Sequence, residues 1–377
     1  MSPLTDTEAR GSTSDTTLDR ARALPKVLLH EHLDGGLRVA TLLALLRERG
    51  ITPPADDEAR LAAWFDANAH AGSLEKYLDG FALTVAAMAT PAALRRVAFE
   101  AAEDVHDDGA VLAEFRIAPL LFEAHGLSGE AVIEALLEGL AASPLPLLRS
   151  SGLIVCAMRH LPLAETERAA RLALRYQGQG VVGFDLAGAE RGFPPALHAG
   201  ALKLVRDAGL ALTLHAGEAD AAERVLEAGR LGAQRIGHGV RLVDALDDAA
   251  LPERRALVDE ARALGLHLEI CPTSNVHTGA AASLATHPIT ALWRAGISLS
   301  YHTDNRLMSC ITQSSEAAAL LTETPLVESD LLAMALQAAE HSFLPEASRA
   351  RAVLAIRAAA ARLQSHSAEA SAAPSSP

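Results

Sequence analysis

Histidines and carboxylates gather at a few short stretches of this 377-residue chain. His30-Glu31-His32-Leu33-Asp34, His215-Ala216-Gly217-Glu218, Gly237-His238-Gly239 and His302-Thr303-Asp304-Asn305 each close an apolar run of strand length. Asp185-Leu186-Ala187-Gly188 closes a fifth. His30 and His32 are two residues apart, so on a strand they share one face. Imidazole nitrogen and carboxylate oxygen suit Zn2+, and a catalytic zinc keeps one position open for water. His30, His32, His215 and Asp304 can meet only where their strands converge on one cavity. Taken singly, each stretch has an ordinary reading. An HxH pair is common, His238 between glycines suits a turn, Asp185 suits a loop cap, and Asp304-Asn305 suits a strand-end turn. Their joint placement at strand ends points to a metal site.

The elements that must carry these groups follow a repeating pattern. Apolar runs occur at Val27–Leu33, Val111–Ile117, Leu153–Met158, Val181–Leu186, Leu210–Leu214, Gln234–Gly237, Leu266–Cys271 and Ile297–Tyr301. Most do not alternate cleanly, as expected of strands buried on both faces. All but the first are preceded by a nearby glycine: Gly109, Gly152, Gly180, Gly209, Gly232, Gly265 or Gly296. A glycine just past a helix can end it in the left-handed conformation, so each unit reads as helix, glycine, strand. Thr90-Pro91 and Ser128 are helix starts, the latter capping a helix through Leu140. Residues 219–228, 252–263 and 329–340 have helical composition. Strands alternating with helices predict a single (β/α)8 barrel of the TIM type over residues 20–364; a doubly wound sheet is the rival. The stretch from Leu33 to Val111 exceeds one helix. It predicts an added helical layer, including Ser73–Phe81, after the first strand. Trp64, Phe65, Tyr77, Leu78 and Phe81 would form its own core, one or two of them lining a lid. Residues 1–19 and 365–377, small and polar, are expected to be disordered tails.

Composition narrows the function classes. Half of the residues are apolar, and 33 basic against 47 acidic side chains leave a net charge of −14. That balance excludes a basic nucleic-acid or anionic-membrane surface. Three cysteines without a CxxC exclude a disulfide scaffold and fit a reducing cytoplasm. The first 25 residues lack a signal-peptide core, and no apolar run reaches the ~20 residues of a spanning helix. Gly178-Gln179-Gly180-Val181-Val182-Gly183 matches GxGxxG but precedes its strand, where a dinucleotide fingerprint follows one. His30-Glu31-His32 is not HExxH, and Cys271-Pro272 lacks the second cysteine of a cytidine-deaminase signature.

LPKVLLHEHLDGGLR (24–38), SLEKYLDGF (73–81), AEFRIAP (113–119), VVGFDLAGAE (181–190), LHAGE (214–218), RIGHG (235–239), LEICPTSN (268–275), HTDN (302–305) and SFLPE (342–346) together resemble the adenosine deaminase family of the zinc-dependent amidohydrolase superfamily. The resemblance runs in order through residues 24–346. It implies one Zn2+ per chain on His30, His32, His215 and Asp304. It implies Glu218 as the acid for purine N1 and His238 as the group that orients the attacking water. It places His32, Asp34, Gly188 and Asn305 around the nucleoside, with the Gly188 N–H at N3 and Asp34 at a ribose hydroxyl. Asn305 departs from the usual second Asp facing N7. Its amide always carries donor hydrogens, so it can still serve that acceptor.

The chemistry explains the residue types. Replacing an aromatic 6-amino group by water needs a strong nucleophile, which zinc supplies by lowering the pKa of bound water toward about 7. Attack at C6 places charge on N1, and an acid there removes that cost. Glu218 three residues beyond His215 suits the task; its plainer reading is a carboxylate in the first turn of a helix. The resemblance thus implies deamination of adenosine and 2′-deoxyadenosine. The same chemistry on adenine or aminodeoxyfutalosine, or an inactive purine-binding barrel, are the alternatives. Arg116, Arg159 and His160 are expected in internal ion pairs, and Cys271 as a small buried hydrophobe. Oligomeric state is not readable.

Overall fold

The structure, a computed structural model, describes residues 16–70, 74–143, 151–246 and 252–372, without the side chains of 74–79, 252–254 and 366–372. Each expected run is a strand: β1 (Lys26–Leu28), β2 (Ala110–Ile117), β3 (Ser151–Met158), β4 (Val181–Ala187), β5 (Ala211–Ala216), β6 (Arg235–His238), β7 (His267–Ile270) and β8 (Leu299–Tyr301). All pair in parallel and in chain order. Helices return the chain between them, giving the (β/α)8 barrel. The seam between β8 and β1 closes by other means. The Asp304 N–H donates to the His30 carbonyl (3.0 Å), and the His32 N–H donates to that of Asp304 (2.8 Å). Deeper down, the Gln313 amide donates to the carbonyls of Val27 and Tyr301, at 2.9 and 3.1 Å.

β1 is shorter than the apolar run Val27–Leu33. Past Leu28 the backbone leaves the ladder: the Leu29 N–H donates to His302 Nδ1 at 3.2 Å, a side-chain acceptor. Gly152 also differs from expectation. It lies inside β3, where a Cβ would sit 2.8 Å from Val182; the other six glycines do take positive φ.

The caps hold as read. Thr90 Oγ1 accepts from the Ala93 N–H with Pro91 at the first position, and Ser128 Oγ accepts from the Ala131 N–H. Helices Pro252–Ala263 and Glu328–His341 match two of the other helical segments, while the helix expected over 219–228 starts only at Glu223 and runs to Arg230, after bends at 217–220. The added layer comprises Val39–Glu48, Glu58–Ala69 and Leu74–Met88, before Pro91–Asp107 returns to β2. Its described aromatics join the main core and form no separate one. Phe65 is buried, and Trp64 and Phe81 pack half-buried, all in the one cluster that runs through the barrel. The side chains of Tyr77 and Leu78 lie outside the described residues. The expected tails are shorter on the inner side: Thr16–Asp19 begin a helix, and 365–372 continue the helix Glu346–Ala372. Residues 1–15 and 373–377 lie outside the described residues. Among the described residues no helix is long and apolar enough to cross a membrane.

The strands alternate more than the apolar runs suggested. On β2, Phe115 and Ile117 join the apolar core while Glu114 and Arg116 do not. On β7, Leu268 and Ile270 do so while His267 and Glu269 do not. The polar set meets across the barrel. Arg116 on β2 reaches Glu269 on β7 (2.6 Å) and Asp185 on β4 (2.8 Å). Arg235 on β6 reaches Glu114 (2.7 Å) and Glu269 (2.6 Å), and stacks on Phe343. Contacts between non-neighbouring strands place all five inside, and all are fully buried.

Removing one partner of a buried ion pair strands the others without water. Arg235→Met should therefore cost about 3–5 kcal/mol in denaturant unfolding. Adding Glu114→Gln to the same chain should recover part of that loss.

Candidate active site

All of the residues singled out by type and spacing lie at the C-terminal ends of the strands or in the loops that follow. His30 and His32 follow β1, His215 lies near the end of β5, His238 ends β6, and Asp304 follows β8. One ligand atom from each of His30, His32, His215 and Asp304 lies within 4.8 Å of all the others. His30 Nε2 is 3.2 Å and His32 Nε2 3.5 Å from Asp304 Oδ1, and His32 Nε2 is 3.3 Å from His215 Nε2. Ligands ~2.1 Å from a tetrahedral ion stand about 3.4 Å apart, so these separations fit one small cation.

The ring protons support that fit. The His30 Nδ1–H donates to Glu269 at 2.9 Å, and the His215 Nδ1–H donates to Asp185 at 3.0 Å. Each Nε2 lone pair is thereby directed at the centre, the usual carboxylate–histidine–metal arrangement. Burial holds His215 below, and His32 well below, its ordinary value, which favours neutral rings of the kind a cation needs. Burial alone would raise Asp185 and Glu269. His215 and Arg116 hold Asp185 far below the carboxylate range, and Arg116 and Arg235 do the same for Glu269. Asp304 Oδ2 accepts from Ser274 Oγ at 2.6 Å, leaving Oδ1 toward the imidazoles. Cys271 also borders the group beside His238 and Asp304, but burial pushes its thiol well above the usual value. It stays a neutral, buried thiol.

Glu218 is not in the first turn of a helix. It sits in the bends between β5 and Glu223–Arg230. Its Oε1 accepts from Thr278 Oγ1 (2.8 Å) and Asn275 Nδ2 (3.2 Å), while Oε2 lies 3.5 Å from His238 Nε2. The Asn275 amide nitrogen also meets His238 Nδ1 at 3.1 Å. Its bond to the Glu218 carboxylate marks it as the donor. His238 Nδ1 is then an acceptor, and the ring proton is on Nε2, facing Glu218.

Asp34 is buried, with Oδ1 unpaired, and burial raises its carboxyl to about 7. Asn305 is buried against the first loop. A Cβ on Gly35 would lie 2.0 Å from its Oδ1, and one on Gly36 would lie 2.1 Å from Glu31 Oε1, so contact dictates the Gly35-Gly36 pair. Gly188 follows β4 with φ +90°.

The supporting residues depart from expectation in part. Arg116 makes the expected internal ion pairs. Arg159 instead donates to the carbonyls of Leu186 and His215. His160 packs its ring near Phe193, with no ion pair among the described residues. His302 bonds the Leu29 N–H and Ser300, apart from the ligand set. Asp185, which suits a loop cap by type and position, instead pairs with Arg116 and His215. Glu269, Ser274, Asn275 and Thr278 carry no signal of their own in type or spacing; the first three lie within LEICPTSN and Thr278 three residues beyond it.

A (β/α)8 barrel with a His-and-carboxylate cluster at its C-terminal mouth is the architecture of the amidohydrolases. An amidohydrolase from Burkholderia ambifaria, solved with bound Zn, shares the fold with a TM-score of 0.80 at 23% identity, over 93% of this chain and 94% of that one. An adenine deaminase from Arthrobacter aurescens does so with 0.79 at 23%, over 89% and 98%. The adenosine deaminase of Mycobacterium tuberculosis is 44% identical over 345 residues, 88% of this chain and 93% of that protein. A family model described as adenosine deaminase matches residues 25–359. The chain belongs to the adenosine deaminase family, and it is an enzyme that deaminates adenosine.

Asp185 fixes the tautomer and direction of His215, so Asp185→Asn should weaken metal retention about 10–100-fold. Competition against a calibrated chelator measures this, with the fold checked by circular dichroism.

Proposed function

We propose that the chain hydrolyses adenosine and 2′-deoxyadenosine to inosine and 2′-deoxyinosine plus ammonia, with one Zn2+ held by His30, His32, His215 and Asp304. The observation that carries this reading is the four-ligand cluster at tetrahedral spacing with Glu218 and His238 on its rim. Bound there, zinc supplies a water that gives up a proton near neutral pH.

The remaining work falls to side chains. Asp304, held by Ser274, accepts a proton from the attacking water. His238, with its proton on Nε2, donates a hydrogen bond to the oxygen arriving at C6. Glu218 delivers a proton to N1 from Oε2, because Asn275 Nδ2 and Thr278 Oγ1 both donate to Oε1. The C6–O bond forms as N1 takes the proton. The C6–N bond then breaks, ammonia leaves with the proton that Asp304 accepted, and the remaining hydroxyl proton returns to Glu218 as the C6 carbonyl forms. The Gly188 N–H meets N3, Asp34 meets a ribose hydroxyl, Asn305 donates to N7, and His32 borders the base. The same reading puts the enzyme in the cytoplasm, where its cysteines, among them exposed Cys310, remain thiols.

A panel of adenosine, 2′-deoxyadenosine, adenine and aminodeoxyfutalosine, run with metal analysis of the same sample, tests the substrate and the metal together. Adenosine and 2′-deoxyadenosine should be turned over fastest, with one zinc per chain. Preferred turnover of adenine would remove the ribose contact from the scheme. Glu218→Gln should lower kcat by about 10²–10⁴ with zinc retained.

Asn305 is tested by a double comparison of Asn305→Ala with 7-deazaadenosine, which has CH in place of N7. Each change alone should cost roughly 1–3 kcal/mol in kcat/KM. Both together should cost clearly less than the sum, because the bond is already lost after the first. Strictly additive losses would separate Asn305 from N7.

A further inference from the structure

The acid Glu218 stands on a segment without regular structure. β5 ends at Ala216, the next helix starts at Glu223, and residues 217–220 are bends. The strand beside it gives little support. β4 and β5 are paired only at Gly183–Ala211 and Phe184–Leu212. Their C-terminal ends, which carry Asp185 and His215, lie above that ladder. Side chains span the seam instead. The Asp185 carboxylate meets His215, and Arg159 caps the Leu186 and His215 carbonyls.

Glu190 is the third and most extensive of these contacts. Its Oε1 accepts from the Gly217 N–H (2.5 Å). Its Oε2 accepts from the N–H groups of Glu218 (3.1 Å), Ala219 (2.8 Å) and Asp220 (3.0 Å). Four consecutive backbone N–H groups converge on one buried carboxylate, a concave anion site made by the chain itself. The next residue completes the grip, since Arg191 Nε donates to the Ala219 carbonyl at 2.5 Å. Loop amides at a surface are ordinarily satisfied by water. Placing a buried carboxylate there, beside Glu218 and Asp220, sets like charges together and gains nothing for a turn whose position is immaterial. It does fix that position, because charge-assisted bonds are short and directional. Glu190 also lies two residues beyond Gly188, so one short loop carries both the glycine assigned to N3 and the anchor of the acid assigned to N1.

We propose that Glu190 is a positioning residue. It ties the turn bearing Glu218 to the loop bearing Gly188, so that a base seated on Gly188 meets the acid already aligned at N1. This rests on the reading of Glu218 as the N1 acid, and the experiment separates the two.

Glu190→Gln keeps the shape but turns one acceptor oxygen into an NH2 that opposes the amides. The expected results are a kcat for adenosine at least tenfold lower, KM within threefold and zinc per chain unchanged. Amide hydrogen exchange in the peptide spanning 216–222 should be at least tenfold faster. Glu190→Asp, which keeps both oxygens and the charge, should regain at least threefold in kcat over Gln. Should the Gln variant not fold, the Asp variant alone should still show lowered kcat, unchanged KM and faster exchange in that peptide. Wild-type kcat despite faster exchange would overturn the proposal, as would unchanged exchange; where the Gln variant does not fold, an Asp variant that behaves as wild type in both would do so. If Glu218→Gln retains full activity, the N1 assignment fails, and the exchange data still report whether Glu190 anchors the turn.

Discussion

One buried carboxylate holds the interior together. Glu269 accepts from His30 Nδ1 and Arg116 on Oε2, and from Thr213 and Arg235 on Oε1. An ionised carboxylate inside a dry barrel is tolerable only when its lone pairs are used and countercharge is close. Here both oxygens are used twice, by donors from β2, β5 and β6 and from His30, two residues beyond the end of β1. The countercharge is shared. Arg116 also serves Asp185 and Arg235 also serves Glu114, so three carboxylates meet two guanidiniums. The surplus is negative, and it lies beneath the imidazoles of His30 and His215. The same network therefore aims two ligands and makes their mouth attractive to a cation.

The four clustered side chains proposed to hold the metal inherit the geometry of the seams. His30 and His32 follow β1, while His215 and Asp304 come from β5 and the exit of β8. The cluster therefore lies across both places where ladder pairing is thin. At β8–β1 the closing bonds run through Asp304 itself, and Glu31 adds an ion pair to Arg306 at 2.9 Å. At β4–β5 closure runs through Asp185, Arg159 and Glu190. Thin ladders leave strand ends free to splay toward the cavity, and side-chain contacts then fix how far. A fully laddered barrel would hold its strands well but give its loops less freedom to place chemical groups.

The His/Asp cluster was legible in the sequence because a period of two puts His30 and His32 on one face, and because strand ends in a barrel converge. The strands were legible from apolar runs set off by glycines. What lay beneath was not. Glu114, Arg116, Asp185, Arg235 and Glu269 come from four strands, and which of them touch depends on register, which a single run does not reveal. Arg116 could be read as an ion-pair residue, yet its partners lie 69 and 153 residues away. The same limit hid Glu190, whose four donors lie about thirty positions further on. The end of β1 was misread for a different reason. Leu29 and Leu33 are apolar and buried, but the Leu29 N–H turns to His302, and beyond it only isolated bridges to Arg116 and Asp304 remain, which apolar character alone does not distinguish from a ladder.

Two site residues hold a backbone conformation that side chains disfavour. His238 has φ +65° and Asp304 φ +61°. Such strain, of order 1–3 kcal/mol each, persists only where surrounding bonds over-determine the residue. Both are held from one place. The short helix Pro272–His277 after β7 supplies Ser274 to Asp304 and Asn275 to His238, and Asn275 also reaches Glu218. That helix is itself pinned at Thr273, whose N–H and Oγ1 both donate to the buried Glu316 at 2.9 and 2.5 Å. Burial raises the Glu316 carboxyl to about 7, so the pin sits on a group that is itself unfavourably buried when charged. The strain at the centre, the tautomer of His238 and the placement of Glu218 thus depend on a single six-residue helix that contributes none of the four clustered side chains. Its placement follows from β7, whose Glu269 orients His30. One strand end therefore sets both halves of the site: His30 from below through a carboxylate, and Asp304, His238 and Glu218 from above through a serine and an asparagine.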